Sequence, residues 1–188
     1  NDTVLVIISG TQVEKSEIFE KYIFKKIDKE FNNSIFPLEN SYLYLFDKTS
    51  VLNSSKLLYK IDYSNFDEFW KPLSQCNLDI EDNKVWIKVY GEDPYFESLF
   101  PIEFKNNNPL MIVVNIDSFV DAKFQIYYGR KGKGYNEGDS SVFSVIKGEN
   151  NIYIGIPYSE DLERIRIDPI NVKSDCSIKK IEIYSMED

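Results

Sequence analysis

The chain has 188 residues, of which 43% are hydrophobic and 15% aromatic, and this composition is enough to build a folded domain with a sizeable core. Its net charge of −9 repels the phosphates of nucleic acids and anionic lipids, so we expect no nucleic-acid partner. The sequence contains no histidine, which excludes catalytic triads, imidazole bases and zinc sites built on histidine. We therefore predict no catalytic residue, no metal site and no cofactor.

The sequence has no apolar run near the roughly 20 residues that span a bilayer, and NDTVLVIISG at its start lacks the features of a signal peptide. We expect no direct membrane insertion by this fragment. The chain begins without methionine, and the sequence leaves open whether it is an excised part of a larger protein; any targeting signal or anchor would then lie outside it. Cys76 and Cys176 match neither a disulfide framework nor a metal motif, and the sequence leaves their pairing open.

The N-terminal part predicts a strand, a helix and a hairpin. An apolar, β-branched run at 3–9 is typical of a buried strand. Apolar residues then recur every four positions across 12–31, behind a capping-box spacing, which predicts one amphipathic helix. The runs at 41–47 and 56–64 predict two strands, for which a hairpin is the simplest pairing. A single short turn of helix is expected just after them, ended by Pro72.

From about residue 82 onward the pattern consists of short strands between turn signals. A spacing of about 8–12 residues between such strands is typical of an antiparallel sandwich or barrel. We predict a mainly all-β protein with an antiparallel, jelly-roll-like β-sandwich at 81–188 and an N-terminal segment at 1–80 packed on it. The eight predicted strands are KVWIKVY (84–90), PIEF (101–104), PLMIVVNID (109–117), AKFQIYYG (122–129), SSVFSVI (140–146), NIYIGIP (151–157), LERIRID (162–168) and SIKKIEIY (177–184).

Alternation within the strands predicts which side chains face the core. In LERIRID, Ile165 and Ile167 fall on one face, and Arg164 and Arg166 fall on the other. We therefore expect the isoleucines to be buried and the arginines to face outward. In the last strand the apolar period is out of step, which predicts a β-bulge near Lys179–Lys180.

Three segments in order carry a resemblance to a known family. GEDPYF (91–96), the stretch FQIYYGRKGKGYNEGDSSVFSVIKGENNIYIGIP, and LERIRIDPINVKSDCSIKKIEIY resemble the β-sandwich accessory domains of bacterial proteins that build cell-surface polysaccharides. In that family a G-x-D-P-x-F turn opens the sandwich, and an L-R-I-D-P strand end precedes the last strand. The resemblance covers about residues 84–184. It implies a carbohydrate-related role, and a membrane-associated or cell-surface location through other parts of a bacterial parent protein.

Sugar-binding sites use exposed aromatic side chains, because the C–H face of a pyranose packs on a flat ring. Alternation places Trp86 and Tyr90 away from the main core. We predict that Trp86, Tyr90 and Tyr128 form the ligand platform. They are selected from a wider set of candidates, which comprises Trp86, Tyr90, Tyr95, Tyr127, Tyr128, Tyr135 and Tyr153.

Arg164 and Arg166 are predicted to supply the polar contacts to the ligand. The alternative for both is pairing with acidic residues on a neighbouring strand. The glycine-rich stretch GRKGKGYNEG (129–138) lacks the features of a phosphate-binding loop and predicts a mobile hairpin loop. Its Lys131, Lys133 and Tyr135 are further candidates for contact with an anionic glycan.

Three function classes stay open on the sequence alone. The favoured one is a non-catalytic module that binds or positions a bacterial surface glycan. The second is a structural domain that docks other domains of its parent protein and binds no sugar. The third is a small enzyme with two carboxylates, for which the candidates are Glu92 with Asp93 or Asp161 with Glu163.

Overall fold

A computed structural model describes most of the chain, namely residues 3–9, 36–38, 41–47, 55–99, 108–156 and 161–186. The predicted helix at 12–31 and the predicted strand at 101–104 lie outside the described residues. No helix among the described residues is long and apolar enough to span a bilayer.

The described residues form strands almost throughout, with one short helix and one 3-10 turn. The helix, α1, is Phe66–Phe69, and the 3-10 turn is Glu137–Asp139. The predicted single turn of helix is confirmed, but it ends before Pro72, which lies in a strand. The strands are β1 (Thr3–Ser9), β2 (Phe36–Leu38), β3 (Ser41–Asp47), β4 (Ser55–Asp62), β5 (Trp70–Ser74), β6 (Cys76–Glu81), β7 (Lys84–Val89), β8 (Tyr95–Ser98), β9 (Leu110–Ser118), β10 (Ala122–Arg130), β11 (Ser140–Val145), β12 (Gly148–Ile156), β13 (Leu162–Asp168) and β14 (Cys176–Met186).

Two antiparallel sheets make the sandwich. The five-stranded sheet has the order β11-β10-β13-β8-β5. The six-stranded sheet has the order β12-β9-β14-β7-β6, and β4 also pairs with β14, beyond the segment of β14 that pairs with β7. The strands β1, β3 and β2 form a separate three-stranded sheet in that order. The predicted all-β antiparallel sandwich is confirmed.

The predicted hairpin between 41–47 and 56–64 is wrong. Both edges of β3 are occupied, because it pairs with β1 and β2. β4 instead pairs antiparallel with β14, where its Ile61 is buried in the sandwich core. Burial of this side chain and a long ladder with β14 stabilise the distant pairing over the local one. Residues 55–80, which the sequence analysis assigned to the N-terminal segment, thus contribute β4, β5 and all of β6 except its last residue to the two sheets.

The core lies between the two sheets and consists mainly of isoleucine. Ile154 on β12 and Ile165 and Ile167 on β13 are all fully buried, as their alternation predicted. An aromatic group fills one part of the core, where the Trp70 and Phe96 rings are 5.3 Å apart at an interplanar angle of 88°. Such edge-to-face contacts add to the free energy gained by burying the rings.

The predicted β-bulge in the last strand is confirmed at Lys179. Ile178 lies opposite Ile116 on β9, and Lys180 lies opposite Asn115, so Lys179 is the extra residue. The insertion shifts the side-chain alternation by one position. Residues on both sides of the bulge can therefore face the core, and Ile178 and Ile181 are both fully buried.

Candidate functional site

The outer face of the five-stranded sheet gathers aromatic and charged side chains on its central strands. Ile126 on β10 and Ile165 on β13 face the core, so their neighbours Tyr127, Arg164 and Arg166 point outward. We call this surface the tyrosine–arginine face. Its members are Tyr95, Glu97, Gln125, Tyr127, Arg164, Arg166 and Asp168, together with Tyr135 and Glu137 from the loop that follows β10.

Arg166 is at the centre of the face and is held by two rings and two carboxylates. Its guanidinium carbon lies 3.7 Å from the ring centre of Tyr95 and 4.9 Å from that of Tyr127. Its Nε donates to Asp168 Oδ1 at 2.6 Å, and its Nη2 donates to Asp168 Oδ2 at 2.7 Å. A third hydrogen bond, from Nη2 to Asp93 Oδ1, is 3.1 Å long. Arg166 therefore pairs with acidic residues, which was the alternative left open by its sequence.

The two Asp-Pro motifs that carry the family resemblance meet at this arginine. Asp93 comes from GEDPYF, in the loop between β7 and β8, and Asp168 comes from the end of β13. Tyr95, which stacks on the same guanidinium, also belongs to GEDPYF. The sequence does not reveal this role, because the contact joins residues more than 70 positions apart, Asp93 and Arg166.

The ion pair of Arg166 and Asp168 is partly buried, and its surroundings change the pKa of both groups. Burial raises the pKa of the Asp168 carboxyl, while the hydrogen bonds and charge of Arg166 act in the opposite direction. Burial also opposes the charge of Arg166, but the hydrogen bonds and charge of Asp168 outweigh it and raise the pKa of the guanidinium. Arg166 is therefore a permanent cation whose position is fixed by its partners.

The loop between β10 and β11, residues 131–139, folds over one end of the face, and we call it the strap. The Tyr135 hydroxyl donates to Glu97 Oε2 on β8 at 3.0 Å. Glu137 accepts from the Tyr127 hydroxyl at 2.7 Å and from Gln125 Nε2 at 2.8 Å. The strap is thus hydrogen-bonded to two strands of the sheet.

Gly129 on β10 makes room for the strap. A Cβ atom at this position would lie 2.9 Å from Tyr135 Cε1 and 3.1 Å from the backbone oxygen of Arg164. The first of these distances requires the Tyr135 ring to move, and the second is tighter than most contacts of a Cβ atom. The glycine therefore allows the ring of Tyr135 to lie against the sheet.

Tyr127 and Tyr135 both have hydroxyls that stay protonated. Burial raises the pKa of the Tyr127 phenol, and its hydrogen bond to Glu137 raises it further. Burial likewise raises the pKa of Tyr135, and the charge of Glu97 adds to the effect. Two neighbouring carboxylates on the face are therefore fixed by neutral donors, which leaves their remaining lone pairs in defined positions.

Arg164 lies at the strap end of the face and differs from Arg166 in its contacts. Its guanidinium carbon is 6.0 Å from the ring centre of Tyr135, and its side chain is half-buried. Across the described part of the chain, no carboxylate lies within ion-pair distance of this guanidinium. Its neighbour on β10 is Gly129, which contributes no side chain to cover it.

Trp86 lies on the opposite side of the molecule from the two arginines. It is on β7, on the outer face of the six-stranded sheet, and its ring centre is 5.8 Å from that of Phe119. The Trp86 Nε1 and the Ser177 Oγ on the neighbouring strand are both buried without a hydrogen-bond partner among the described residues. The structure therefore does not bring Trp86 together with Arg164 and Arg166.

Tyr90 and Tyr128 also lie outside the tyrosine–arginine face. Tyr90 is in the loop after β7, three residues before Asp93, and it is 58% exposed. Tyr128 is 6% exposed, and its hydroxyl lies 2.7 Å from Ser141 Oγ inside the core. The prediction that Tyr128 forms part of the platform is wrong, because its ring faces the core. Its neighbour Tyr127 has the outward position.

Two of the four carboxylates considered for an enzyme, Asp93 and Asp161, are used in ion pairs. Asp93 pairs with Arg166, and Asp161 pairs with Arg130, a buried arginine that also pairs with Asp139. These contacts give both aspartates a structural role. No cluster of three or more cysteine, aspartate or glutamate residues with the arrangement of a metal site occurs among the described residues.

Comparisons with known proteins give the fold. Neither family models nor curated protein sequences match the chain. Among solved structures, the second N-terminal cellulose-binding domain of β-1,4-glucanase C from Cellulomonas fimi is 8% identical with a TM-score of 0.55, over 72% of this chain and 97% of that one. A family 29 carbohydrate-binding module from Piromyces equi is 10% identical with a TM-score of 0.50, over 71% and 90% of the two chains.

A third similar structure is the CBM1 module of BiXyn10A, which is 13% identical with a TM-score of 0.51, over 68% of this chain and 97% of that one. At these identities the similarity is one of fold. The chain therefore has the β-sandwich fold found in carbohydrate-binding modules.

Proposed function

We propose that this chain is a non-catalytic carbohydrate-binding domain and that its ligand binds on the tyrosine–arginine face. The observation that carries the proposal is the fixed array of rings, carboxylates and guanidinium groups around Arg166. Tyr95 and Tyr135 are half-buried and present part of each ring to solvent. Asp93 and Glu137 are exposed at the edge of the same array.

The array has the two kinds of group that a sugar requires. Aromatic rings pack against the C–H face of a pyranose, and carboxylates and guanidinium groups bind its hydroxyls. Because hydrogen bonds already fix these side chains, little conformational entropy is lost when a ligand binds. A few ring contacts of about 1 kcal/mol each, together with hydrogen bonds to the sugar hydroxyls, correspond to weak affinity, with a dissociation constant in the millimolar range.

The proposal extends to the parent protein. The resemblance of GEDPYF and LERIRIDP to accessory domains of polysaccharide-building proteins supports a role in binding or positioning a bacterial surface glycan. In this structure both motifs supply contacts to Arg166. The residues that carry the resemblance are thus the same residues that form the proposed site.

A second candidate site for the same function is the ring pair of Trp86 and Phe119 on the other face. The specific observation in its favour is the pair of buried polar atoms without partners, Trp86 Nε1 and Ser177 Oγ. A second candidate function is a docking domain, supported by exposed apolar side chains in three loops, including Tyr90, Phe119 and Ile146.

A titration of the whole chain with cellohexaose and xylohexaose, followed by amide chemical shifts, distinguishes these cases. We expect the amides of β8, β13 and the strap to shift at millimolar sugar, while those around Trp86 do not. Tyr135→Leu should weaken binding, and Trp86→Phe and Tyr128→Phe should leave it unchanged. Shifts confined to β7 and the turn at Phe119 would instead assign the site to the second face. If no glycan causes a response, carbohydrate binding is wrong and the docking function is favoured.

A further inference from the structure

We propose that the tyrosine–arginine face selects glycans that carry a carboxylate, and that Arg164 is the residue that binds this group. The inference rests on the proposed function, because it names the chemical class of ligand for the same face. The chemistry is that of a uronic acid residue within a polysaccharide. The chain has three arginines, Arg130, Arg164 and Arg166, and they differ in their carboxylate partners.

Two of these arginines are neutralised by the protein. Arg130 is buried and pairs with Asp139 and Asp161. Arg166 pairs with Asp168 and Asp93. Arg164 differs from both, because none of the described carboxylates lies within ion-pair distance of its guanidinium. In a chain with nine more acidic than basic side chains, a half-buried arginine without a carboxylate partner is available to an external anion.

The surroundings of Arg164 hold it in place and leave it accessible. On one side its guanidinium lies over the ring of Tyr135, whose hydroxyl is fixed by Glu97. On β10 it faces Gly129, so no side chain of that residue covers it. A planar guanidinium held against a ring loses little freedom when it binds a carboxylate through two parallel hydrogen bonds.

The strap adds two cations near the same end of the face. Lys131 and Lys133 are exposed, and neither has a carboxylate partner in the described parts of the chain. The backbone N–H of Lys131 donates to the backbone oxygen of Asp161, three residues before Arg164, which places the start of the strap beside the start of β13. Three cations for which the described residues supply no carboxylate partner thus lie in neighbouring segments.

Two negative contributions oppose an anionic ligand, and neither prevents its binding. Glu97 lies close to Tyr135, but its carboxylate already accepts from the Tyr135 hydroxyl and lies 3.8 Å from Lys71 Nζ. The net charge of −9 repels anions over long range, but salt screens this repulsion beyond about 8 Å at physiological ionic strength. Contact with Arg164 acts at hydrogen-bond distance and is screened much less.

The experiment compares two ligands that differ only in the carboxylates. One is the hexasaccharide of alternating glucuronate and N-acetylglucosamine, and the other is the same hexasaccharide with each carboxylate reduced to a primary alcohol. Affinities for the whole chain are measured by calorimetry or amide chemical shifts at physiological salt and at about 1 M salt. We expect the acidic hexasaccharide to bind about tenfold more tightly at physiological salt, where the long-range repulsion by the net charge is already screened, with a smaller preference at about 1 M salt.

Variants then test the residue. Arg164→Gln should abolish the preference for the acidic hexasaccharide, and Arg164→Lys should keep part of it. The matched control is Lys147→Gln, which removes one positive charge in an exposed turn near the opposite end of β10 and should keep the full preference. Circular dichroism and melting curves establish that each variant is folded.

The outcomes separate this inference from the proposed function. Equal affinity for the acidic and reduced hexasaccharides, or a preference that persists in Arg164→Gln, overturns the role of Arg164 and leaves carbohydrate binding in place. Binding of cellohexaose or xylohexaose without binding of the acidic hexasaccharide also overturns the role of Arg164 and leaves carbohydrate binding in place. A chain that binds none of these glycans overturns the inference together with the function on which it rests.

Discussion

The guanidinium carbon of Arg166 lies 3.7 Å above the ring centre of Tyr95, on the outer face of the five-stranded sheet. Tyr95 belongs to β8 and Arg166 to β13, two neighbouring strands joined by the pairing of Arg166 with Glu97. The contact therefore depends on the register of the two strands. A change that shifts this register would separate the ring from the cation and disturb the face without altering its residues.

The first prediction concerns the two faces of β13. Ile167→Asp should unfold the domain, because it places a charge at the centre of the core and costs several kcal/mol, on the order of the whole stability. Ile154→Asp should do the same from the other sheet. Arg166→Ala should be milder, since it truncates a partly buried side chain on the outer face of the sheet and places no charge in the core. Melting followed by circular dichroism checks the order, and a reversed order would mean that the faces of these strands are inverted.

Alternation within single strands predicted much of this arrangement. The inward positions of Ile165 and Ile167 and the outward positions of Arg164 and Arg166 follow from a period of two. The bulge at Lys179 was also visible, because the apolar period changes phase within one strand. These features depend on neighbouring residues only, and such local information is present in the sequence.

The wrong prediction for Tyr128 concerns a strand in which two aromatic residues are adjacent. Phe124 and Ile126 lie four and two positions before Tyr128 on the same face of the strand, and both are fully buried. Alternation along β10 therefore assigns Tyr128 to the core. The same alternation, beginning at Phe124, places Tyr127 on the outer face of the strand.

Contacts between distant segments could not be predicted from the sequence. The pairing of β4 with β14, the hydrogen bond from Tyr135 to Glu97 and the contact of Asp93 with Arg166 each join residues that no periodic pattern connects. These contacts are selected by the burial of side chains in the folded chain. The sequence therefore predicted the types of residue in the candidate site and its two arginines, Arg164 and Arg166. It did not predict which residues contact one another there.

The second prediction concerns Gly129, the residue on which the Tyr135 ring of the strap packs. Gly129→Ala should displace Tyr135, because the new Cβ would lie 2.9 Å from its ring and 3.1 Å from the backbone of Arg164. We expect a loss of about 1–3 kcal/mol in the free energy of unfolding, typical of overpacking, and weaker glycan binding. The control is Gly134→Ala in the same strap, where a Cβ would meet nothing within 4 Å.

Denaturant unfolding and amide hydrogen exchange in the strap measure these effects. Equal stability and equal exchange in the two alanine variants would show that the strap does not depend on Gly129.

The third prediction concerns the two cysteines, which are free and buried. Burial raises the pKa of the Cys76 thiol to about 11 and also raises the pKa of Cys176. At pH 8 both thiols should be neutral and shielded, so a disulfide reagent such as Ellman's should react slowly with the folded chain. Two thiols per chain should be released at once in denaturant, and a count below two would indicate a disulfide.

The fourth prediction concerns stability at alkaline pH. Burial and the neighbouring Glu137 raise the pKa of Tyr127 in the folded state above the value of about 10 that a free phenol has. A raised folded pKa means that the stabilising contribution is complete below about pH 10 and is lost as the pH rises toward the folded pKa. Tyr127→Phe removes the phenol and its hydrogen bond to Glu137, so at pH 8 it should cost about 1 kcal/mol. Above pH 10 the free energy of unfolding of the Tyr127→Phe variant should fall less steeply than that of the unsubstituted chain. Denaturant unfolding between pH 8 and the alkaline limit of folding measures both slopes, and parallel slopes would show that Tyr127 does not contribute to the alkaline transition.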